Sequence, residues 1–182
     1  MTLLKIKVKY NNETLKTKLE TYIKNNFAVV YEIASIAPVY LLGGAIRDLI
    51  MVKEPKDLDF IVLGMEYSKN ILEVLNKHKI TFTYNHFGGY RINYNGVHVD
   101  LWASNDLFSA VQYNVDGLFF YLNDNNLISF SFDDFVKNGL KLINPDNNIE
   151  KGREKKLIQF EKNYRNFSFG HYCCVIRPAC FC

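Results

Sequence analysis

The sequence of 182 residues has no long hydrophobic run, no internal repeat and no strong excess of charge of one sign. Its longest apolar region, residues 27–46, is interrupted by Glu32, Pro38 and a pair of glycines, which excludes a membrane-spanning helix. The 22 Lys and Arg residues exceed the 19 Asp and Glu residues slightly, so the net charge permits a nucleic-acid partner without arguing for one. We therefore expect a globular protein with no membrane partner.

Cysteine is absent until the last ten residues. All four cysteines lie there, beside a histidine: Cys173, Cys174, Cys180 and Cys182. Their spacing matches no recognisable zinc site, although metal binding stays open as an alternative, and the four-residue prenylation signal is missing. We expect reduced thiols in a flexible tail, residues 168–182, of a cytoplasmic protein. The preceding residues 1–167 are long enough for one domain with a sizeable core.

Residues 40–63 contain the most informative pattern of the chain. An apolar run ends at Gly43-Gly44, and residues 45–52 then carry apolar side chains at helical spacing. This order predicts a strand, a glycine turn and a helix. Paired glycines let the backbone pass close to a bulky anion, and the N-terminus of a helix directs unpaired N–H groups toward that anion. The turn is therefore suited to hold phosphate.

Two aspartates open the next predicted strand, residues 57–62. The period of two places Asp57 and Asp59 on one face of the strand, whereas the alternating apolar side chains point to the other. Neighbouring carboxylates repel each other, and a divalent cation removes that cost. Because hard oxygen ligands select Mg²⁺ or Mn²⁺, the pair is a candidate metal site.

The joint pattern resembles the nucleotidyltransferase superfamily that includes DNA polymerase beta. The segment is most similar to the head domain of class II tRNA CCA-adding enzymes and bacterial poly(A) polymerases, which read roughly GGAxRD followed by PKDxD. The matching residues are Gly43, Gly44, Ala45, Arg47, Asp48, Pro55, Lys56, Asp57 and Asp59. The resemblance covers residues 38–167 and implies an α+β nucleotidyltransferase fold. That fold is a mixed, mostly antiparallel sheet of about five strands flanked by helices.

A third carboxylate completes the catalytic site that the resemblance implies. Asp100 lies in the predicted strand 97–102, on the face opposite its apolar neighbours, and an aspartate that caps a loop is the alternative interpretation. In the family the third carboxylate is on a strand beside the Asp-x-Asp strand. By resemblance, Asp57, Asp59 and Asp100 are catalytic and bind Mg²⁺ or Mn²⁺, with two ions expected.

The resemblance also implies a nucleotide site. Gly43 and Gly44 would hold the triphosphate through backbone N–H groups, and Arg47 would pair with a phosphate oxygen. The alternative for Arg47 is a local ion pair with Asp48 on the helix. Arg153, in the predicted helix 148–166, falls where the family has an Asp-x-x-Arg, which implies contact with the triphosphate or with RNA, against a solvated basic face as the alternative.

One segment departs from the family. After the third carboxylate, class II enzymes carry an Arg-Arg-Asp-Phe-Thr-Ile-Asn-Ala-Leu-like segment whose polar residues grip the nucleotide sugar. The corresponding residues 111–118 lack the arginines and the first aspartate, and Asp116 stands in place of the asparagine as a candidate nucleotide ligand. The sequence also ends before the neck and body of the family, so we expect no complete CCA-adding activity in this chain and consider a partner chain that supplies those parts.

Three functions follow from these patterns. The first is a metal-dependent nucleotidyltransferase that transfers NMP from an NTP substrate to an RNA 3′ hydroxyl, with tRNA as the favoured acceptor. The second transfers the nucleotide to a protein or small-molecule hydroxyl, as small toxin-like members do. The third is a degenerate, non-catalytic module that binds a nucleotide or a partner. The set of three aspartates favours an enzyme.

Overall fold

The computed structural model describes residues 13–85, 88–145 and 152–170, without the side chains of residues 166–170. The described part contains six α-helices: Glu13–Phe27 (α1), Val30–Ala34 (α2), Gly43–Ile50 (α3), Ser68–Lys77 (α4), Phe132–Asn138 (α5) and Arg153–Gly170 (α6). It contains seven strands: Val39–Leu41 (β1), Asp57–Leu63 (β2), Phe82–Tyr84 (β3), Tyr90–Tyr94 (β4), Val97–Ser104 (β5), Leu118–Tyr121 (β6) and Asn126–Ser129 (β7). The strand expected for residues 1–10 and the cysteines of the expected tail lie outside the described residues.

All seven strands form one sheet in the order β3-β4-β5-β2-β1-β6-β7. The β2–β5 pair is parallel, and the other pairs are antiparallel. The predicted α+β class with a mixed, mostly antiparallel sheet is confirmed, whereas the sheet has seven strands where about five were expected. The two edge strands are short, with three residues in β3 and four in β7.

Alternation along β2 decides which face of the sheet is covered. Leu58, Phe60 and Val62 are fully buried, and they belong to one hydrophobic core with apolar side chains from all six helices. The aspartates of β2 point to the opposite face. Among the described residues, that face carries a small apolar cluster around Tyr40 and Phe119, and it is exposed at Asp57; we call it the open face.

The glycine pair forms the first turn of α3 itself, and not a turn before it as predicted. Leu42 is the extended residue at the N-cap, and the helix ends at Ile50. A Cβ atom at Gly43 would lie 3.1 Å from the backbone oxygens of Asp116 and Leu118, so a larger residue would collide with the segment that enters β6. The glycine thus allows the close approach of α3 to the sheet.

The hairpin between β4 and β5 turns at Asn95-Gly96, a dipeptide that strongly favours a two-residue hairpin turn. Asn95 and Gly96 both have positive φ angles, 53° and 86°, as a two-residue type I′ turn requires. The turn pairs Tyr94 with Val97, and the register continues from there along both strands. It thereby determines which side chains of β4 stand beside those of β5 at the site described below.

The C-terminal part differs in detail from the prediction. The apolar residues 115–122 predict one strand, but the chain forms a short 3₁₀ helix, Asn114–Asp116, before β6 begins at Leu118. Helix α6 begins at Arg153, later than the predicted start at residue 148. Leu157 and Tyr164 bury one face of α6, and Phe160 packs against Phe135 of α5 with ring centroids 5.9 Å apart. In the part of the chain that the structure describes, no helix is long and apolar enough to cross a membrane.

Candidate active site

The structure brings the three predicted catalytic aspartates to one face of the sheet. In the parallel β2–β5 pair, Asp59 lies opposite Asp100 and Asp57 lies opposite His98. Paired residues of neighbouring strands project from the same face, and residues two apart on one strand share that face too. The carboxylates therefore stand side by side on the open face, and His98 beside them is exposed, as expected for a surface histidine.

Asp59 is the central member of this group. Burial, together with the negative charges of Asp100 and Asp57, raises its pKa from the ordinary 3.8 to about 6, while Arg153 and Arg47 oppose the rise. Gly44, in the first turn of α3, lies directly beside Asp59. A Cβ atom at Gly44 would be 3.9 Å from Asp59 Oδ2. The site therefore carries negative charge that the neighbouring arginines only partly balance.

Asp100 is bound by an arginine from the neighbouring strand. Arg91 on β4 donates from Nε to Asp100 Oδ1 at 3.1 Å and from Nη2 to Oδ2 at 2.9 Å. Asn85 donates a further hydrogen bond to Oδ1 at 3.3 Å. Both oxygens of the third carboxylate are thus engaged, in the two-pronged geometry that a planar guanidinium forms with a carboxylate.

The donor set fits a hard divalent cation in its chemistry, since it consists of carboxylate oxygens whose mutual repulsion a cation would relieve. The present side-chain arrangement does not gather three of them. Among residues 13–85, 88–145 and 152–170, no group of three or more His, Cys, Asp or Glu side chains is close enough to hold a metal ion. Binding of one ion by all three aspartates would therefore require their side chains to move closer together.

A second arginine–aspartate cluster lies on the other side of Asp59. Asp116 Oδ1 accepts from Arg47 Nη1 at 2.8 Å and lies 3.1 Å from Arg153 Nη2. Its Oδ2 accepts the backbone N–H of Tyr113 at 3.1 Å. Only 6% of the Asp116 side chain is exposed. Asp116 thus joins α3, the 3₁₀ helix Asn114–Asp116 and α6.

Arg47 does not form the local ion pair that the alternative interpretation gave it. It pairs with Asp116, far along the chain, and not with its neighbour Asp48. Its guanidinium also lies 5.8 Å from the ring centroid of Phe160 on α6. Burial lowers the pKa of Arg47, and Asp116 opposes this shift, so the ion pair keeps a buried guanidinium charged.

Arg153 is the more accessible of the two cations. Its side chain is 32% exposed, against 13% for Arg47. Its Nε atom is buried and finds no hydrogen-bond acceptor among the described residues. With two guanidinium groups on one carboxylate, the cluster has an excess of one positive charge on the α3 side of Asp59.

Arg91 was missed by the sequence analysis, although the sequence contains the signal for it. Alternation along residues 90–94 places Arg91 and Asn93 on one face of a strand. A two-residue Asn95-Gly96 turn pairs the residues on either side of it, and counting outward from that turn pairs Arg91 with Asp100. A hairpin predicted with its register thus places a cation on the third carboxylate.

The fold and the arrangement of the aspartates are similar to those of nucleotidyltransferase head domains, as the resemblance implied. More particularly, residues 39–100 match the family described as the Poly A polymerase head domain, which confirms the resemblance inferred from the motifs. The match includes the glycine pair and all three aspartates, and it ends before Asp116 and Arg153. No curated protein sequence matches the chain at a significant level.

Solved structures of RNA-processing enzymes share this fold. A Thermotoga maritima CCA-adding enzyme in complex with tRNA has a TM-score of 0.59 and 20% identity, with 82% of this chain and 40% of that chain covered. A CCA-adding enzyme in complex with CTP has a TM-score of 0.58 and 19% identity, with 84% and 40% covered. The chain thus spans about two fifths of the length of these structures.

Proposed function

We propose that this protein is a metal-dependent nucleotidyltransferase that transfers NMP from an NTP to an RNA 3′ hydroxyl and releases pyrophosphate. The observation that carries the proposal is the placement of Asp59 beside Asp100, with Asp57 on the same face and Gly44 next to them. The structures that share the fold include CCA-adding enzymes solved with tRNA and with CTP, which supports a nucleotide and an RNA as partners.

The three carboxylates would bind the metal ions. Asp57, Asp59 and Asp100 would hold two Mg²⁺ or Mn²⁺ ions, which lower the pKa of an attacking hydroxyl and neutralise charge on a triphosphate when they are bound. Asp59 must be ionised for this purpose, and its pKa of about 6 keeps it mostly ionised at neutral pH. Asp100, at the β5 end of the group, would orient the acceptor hydroxyl.

The N-terminus of α3 and the neighbouring arginines would bind the phosphates. The first backbone N–H groups of α3, at the buried Gly43 and the partly exposed Gly44, have no acceptor within the helix and would bind phosphate oxygens. Arg153 is partly exposed beside them and would pair with the triphosphate. Asp116 holds Arg153 and Arg47 in position, so its role in nucleotide binding would be to orient these cations.

A non-catalytic nucleotide- or partner-binding module is the second candidate. It is favoured by the contact between Arg91 and Asp100, which occupies both oxygens of the third carboxylate. Transfer to a protein or small-molecule hydroxyl is a variant of the first proposal with a different acceptor. We also propose a cytoplasmic location.

A transfer assay separates these candidates. The protein is incubated with each α-labelled NTP, Mg²⁺ or Mn²⁺, and a mixture of total RNA and protein. The proposal expects label on RNA. Asp59→Asn should reduce that labelling by about 10³-fold or more, because loss of charge stabilisation at the reacting phosphate has effects of this order.

The matched control is Asp124→Asn, which removes an exposed carboxylate in the turn between β6 and β7. It should leave labelling unchanged. Label on protein that depends on Asp59 would move the proposal to the alternative acceptor. Absence of any label that depends on Asp59 would overturn the enzyme proposal in favour of the binding module.

A further inference from the structure

The connection from α3 to β2, residues 51–56, leads directly into the first of the three aspartates. Asp57 is the first residue of β2, and its side chain is exposed. Among the described residues, no group forms a hydrogen bond or an ion pair with the Asp57 carboxylate. Asp100, in contrast, is bound by Arg91. The position of Asp57 therefore depends on how firmly its backbone is held.

In the described part of the chain, the start of β2 has a neighbouring strand on one side only. Asp57 pairs with His98 of β5. On the other side, β1 first reaches β2 at Asp59, whose C=O accepts the N–H of Leu42 at 2.8 Å. Strand ends with few hydrogen bonds open more easily than the centre of a sheet. The residues that precede Asp57 must therefore help to hold it.

The connection leaves α3 through a strained residue. Val52 has a φ angle of 55°, in the left-handed region that a β-branched side chain rarely adopts. The N–H of Val52 donates to Leu49 O at 3.1 Å and that of Lys53 donates to Asp48 O at 2.8 Å, which is a Schellman motif with valine where glycine is usual. Such strain persists only where the surrounding structure fixes the chain. The residues after Val52 must therefore be fixed as well.

Tyr22 on α1 fixes the other end of the connection. Its hydroxyl donates to Pro55 O at 2.7 Å, two residues before Asp57. Pro55 is buried, whereas its chain neighbours on both sides are exposed. Burial, followed by the negative charges of Glu54, Asp48 and Asp57, raises the pKa of Tyr22 above its ordinary value, so the hydroxyl stays protonated and remains a donor.

Resting on the proposed function, we infer that Tyr22 is a positioning residue of the metal site. Its hydrogen bond to Pro55 fixes the start of β2 and thereby holds the Asp57 carboxylate beside Asp59 for a metal ion. Tyr22 precedes residues 39–100, the segment that matches the Poly A polymerase head domain. The site formed by the matched segment therefore depends on a side chain outside it.

Mn²⁺ binding measured by electron paramagnetic resonance tests the inference without turnover. Tyr22→Phe removes the hydroxyl and keeps the ring that packs against the core. The variant should bind Mn²⁺ about 3- to 10-fold more weakly than the wild type, because the ordering that one hydrogen bond provides must then come from metal binding. Urea denaturation verifies that the variant is folded.

Hydrogen exchange gives a second readout that needs no metal ion. The amides of residues 57–59 should exchange about 3- to 10-fold faster in Tyr22→Phe, because opening the start of β2 no longer breaks the bond to Pro55. The matched control is Tyr90→Phe, which removes another tyrosine hydroxyl that donates to a backbone oxygen, Ser68 O at 3.4 Å. It should keep the Mn²⁺ affinity and the exchange rates of the wild type at residues 57–59.

Wild-type Mn²⁺ affinity in folded Tyr22→Phe would overturn the inference, and so would equal weakening in Tyr90→Phe. Asp59→Asn separates this failure from that of the proposed function. If Asp59→Asn binds Mn²⁺ as well as the wild type, the proposed metal site fails and the role of Tyr22 in it fails too. If Asp59→Asn loses binding while Tyr22→Phe retains it, only the inference is overturned.

Discussion

Two arginine–aspartate contacts flank Asp59, and they differ in burial. On the α3 side, Asp116 is only 6% exposed and holds Arg47 and Arg153. On the β4 side, Asp100 is 22% exposed and is held by Arg91, which is itself 53% exposed. The chemistry of the two contacts is the same. The difference in solvent access makes the first a fixed part of the fold and the second a contact that water screens.

The two sides of the site also differ in how firmly they hold their arginines. The buried cluster joins three elements distant in sequence and keeps an excess positive charge in a constant position, which would suit the proposed triphosphate site. The exposed contact leaves the Arg91 side chain free to change its rotamer.

The largest effect should come from breaking the buried cluster. Asp116→Ala leaves Arg47 and Arg153 without their carboxylate, and we expect the free energy of unfolding to fall by about 3–5 kcal/mol. Asp100→Ala, on the exposed side, should cost less than about 1 kcal/mol. Urea denaturation measures both. Equal losses in the two variants would contradict the distinction.

The next largest effect on stability should come from the glycine pair at the start of α3. In Gly43→Ala the new methyl group would lie 3.1 Å from two backbone oxygens and from Arg47 Nη1, and such overpacking should cost about 1–3 kcal/mol. In Gly44→Ala it would meet only Asp59 Oδ2, at 3.9 Å. That variant should match or slightly exceed the wild type in urea, since alanine favours helix. A destabilised Gly44→Ala with an unaffected Gly43→Ala would refute the described approach of α3 to β6.

Asp59, between the two contacts, should make stability depend on pH. Because its pKa in the folded protein is about 6, against 3.8 ordinarily, the folded state binds more protons between these values and loses stability as the pH rises through them. In metal-free buffer, Asp59→Asn should therefore be more stable than the wild type by about 1–2 kcal/mol above pH 6, allowing for partial exposure. The two proteins should converge near pH 4 in thermal or urea unfolding, and a constant difference across this range would show that the pKa is not raised.

The smallest effect should come from the exposed contact between Arg91 and Asp100. Arg91→Gln should lower the free energy of unfolding by about 0.5 kcal/mol at low salt and by less at high salt, because salt screens an exposed ion pair. Arg165→Gln provides the reference for an arginine paired within one helix. A salt-independent loss of several kcal/mol in Arg91→Gln would mean that this contact is as structural as the buried one.

The parts of the site that the sequence predicted are the local ones. The strand, the glycine pair, α3 and the Asp57–Asp59 alternation depend on residues near one another in the chain, and Asp100 came from the family resemblance. The partners of Arg47 and Arg153 could not be predicted, because Asp116 reaches them only through the packing of α6 against α3 and α5. The contact of Arg91 with Asp100 is an intermediate case, because the register of β4 against β5 follows from a recognisable hairpin turn.

The central claim, that the aspartates form a metal site around Asp59, is tested most directly by the pH dependence of Mn²⁺ affinity in the wild type and in Asp59→Asn. The account predicts that the wild type binds Mn²⁺ at pH 7.5 and binds it much more weakly at pH 5, because Asp59 is protonated below its pKa of about 6. It predicts no comparable binding to Asp59→Asn at either pH. Equal Mn²⁺ affinity in the two proteins at pH 7.5 would contradict it.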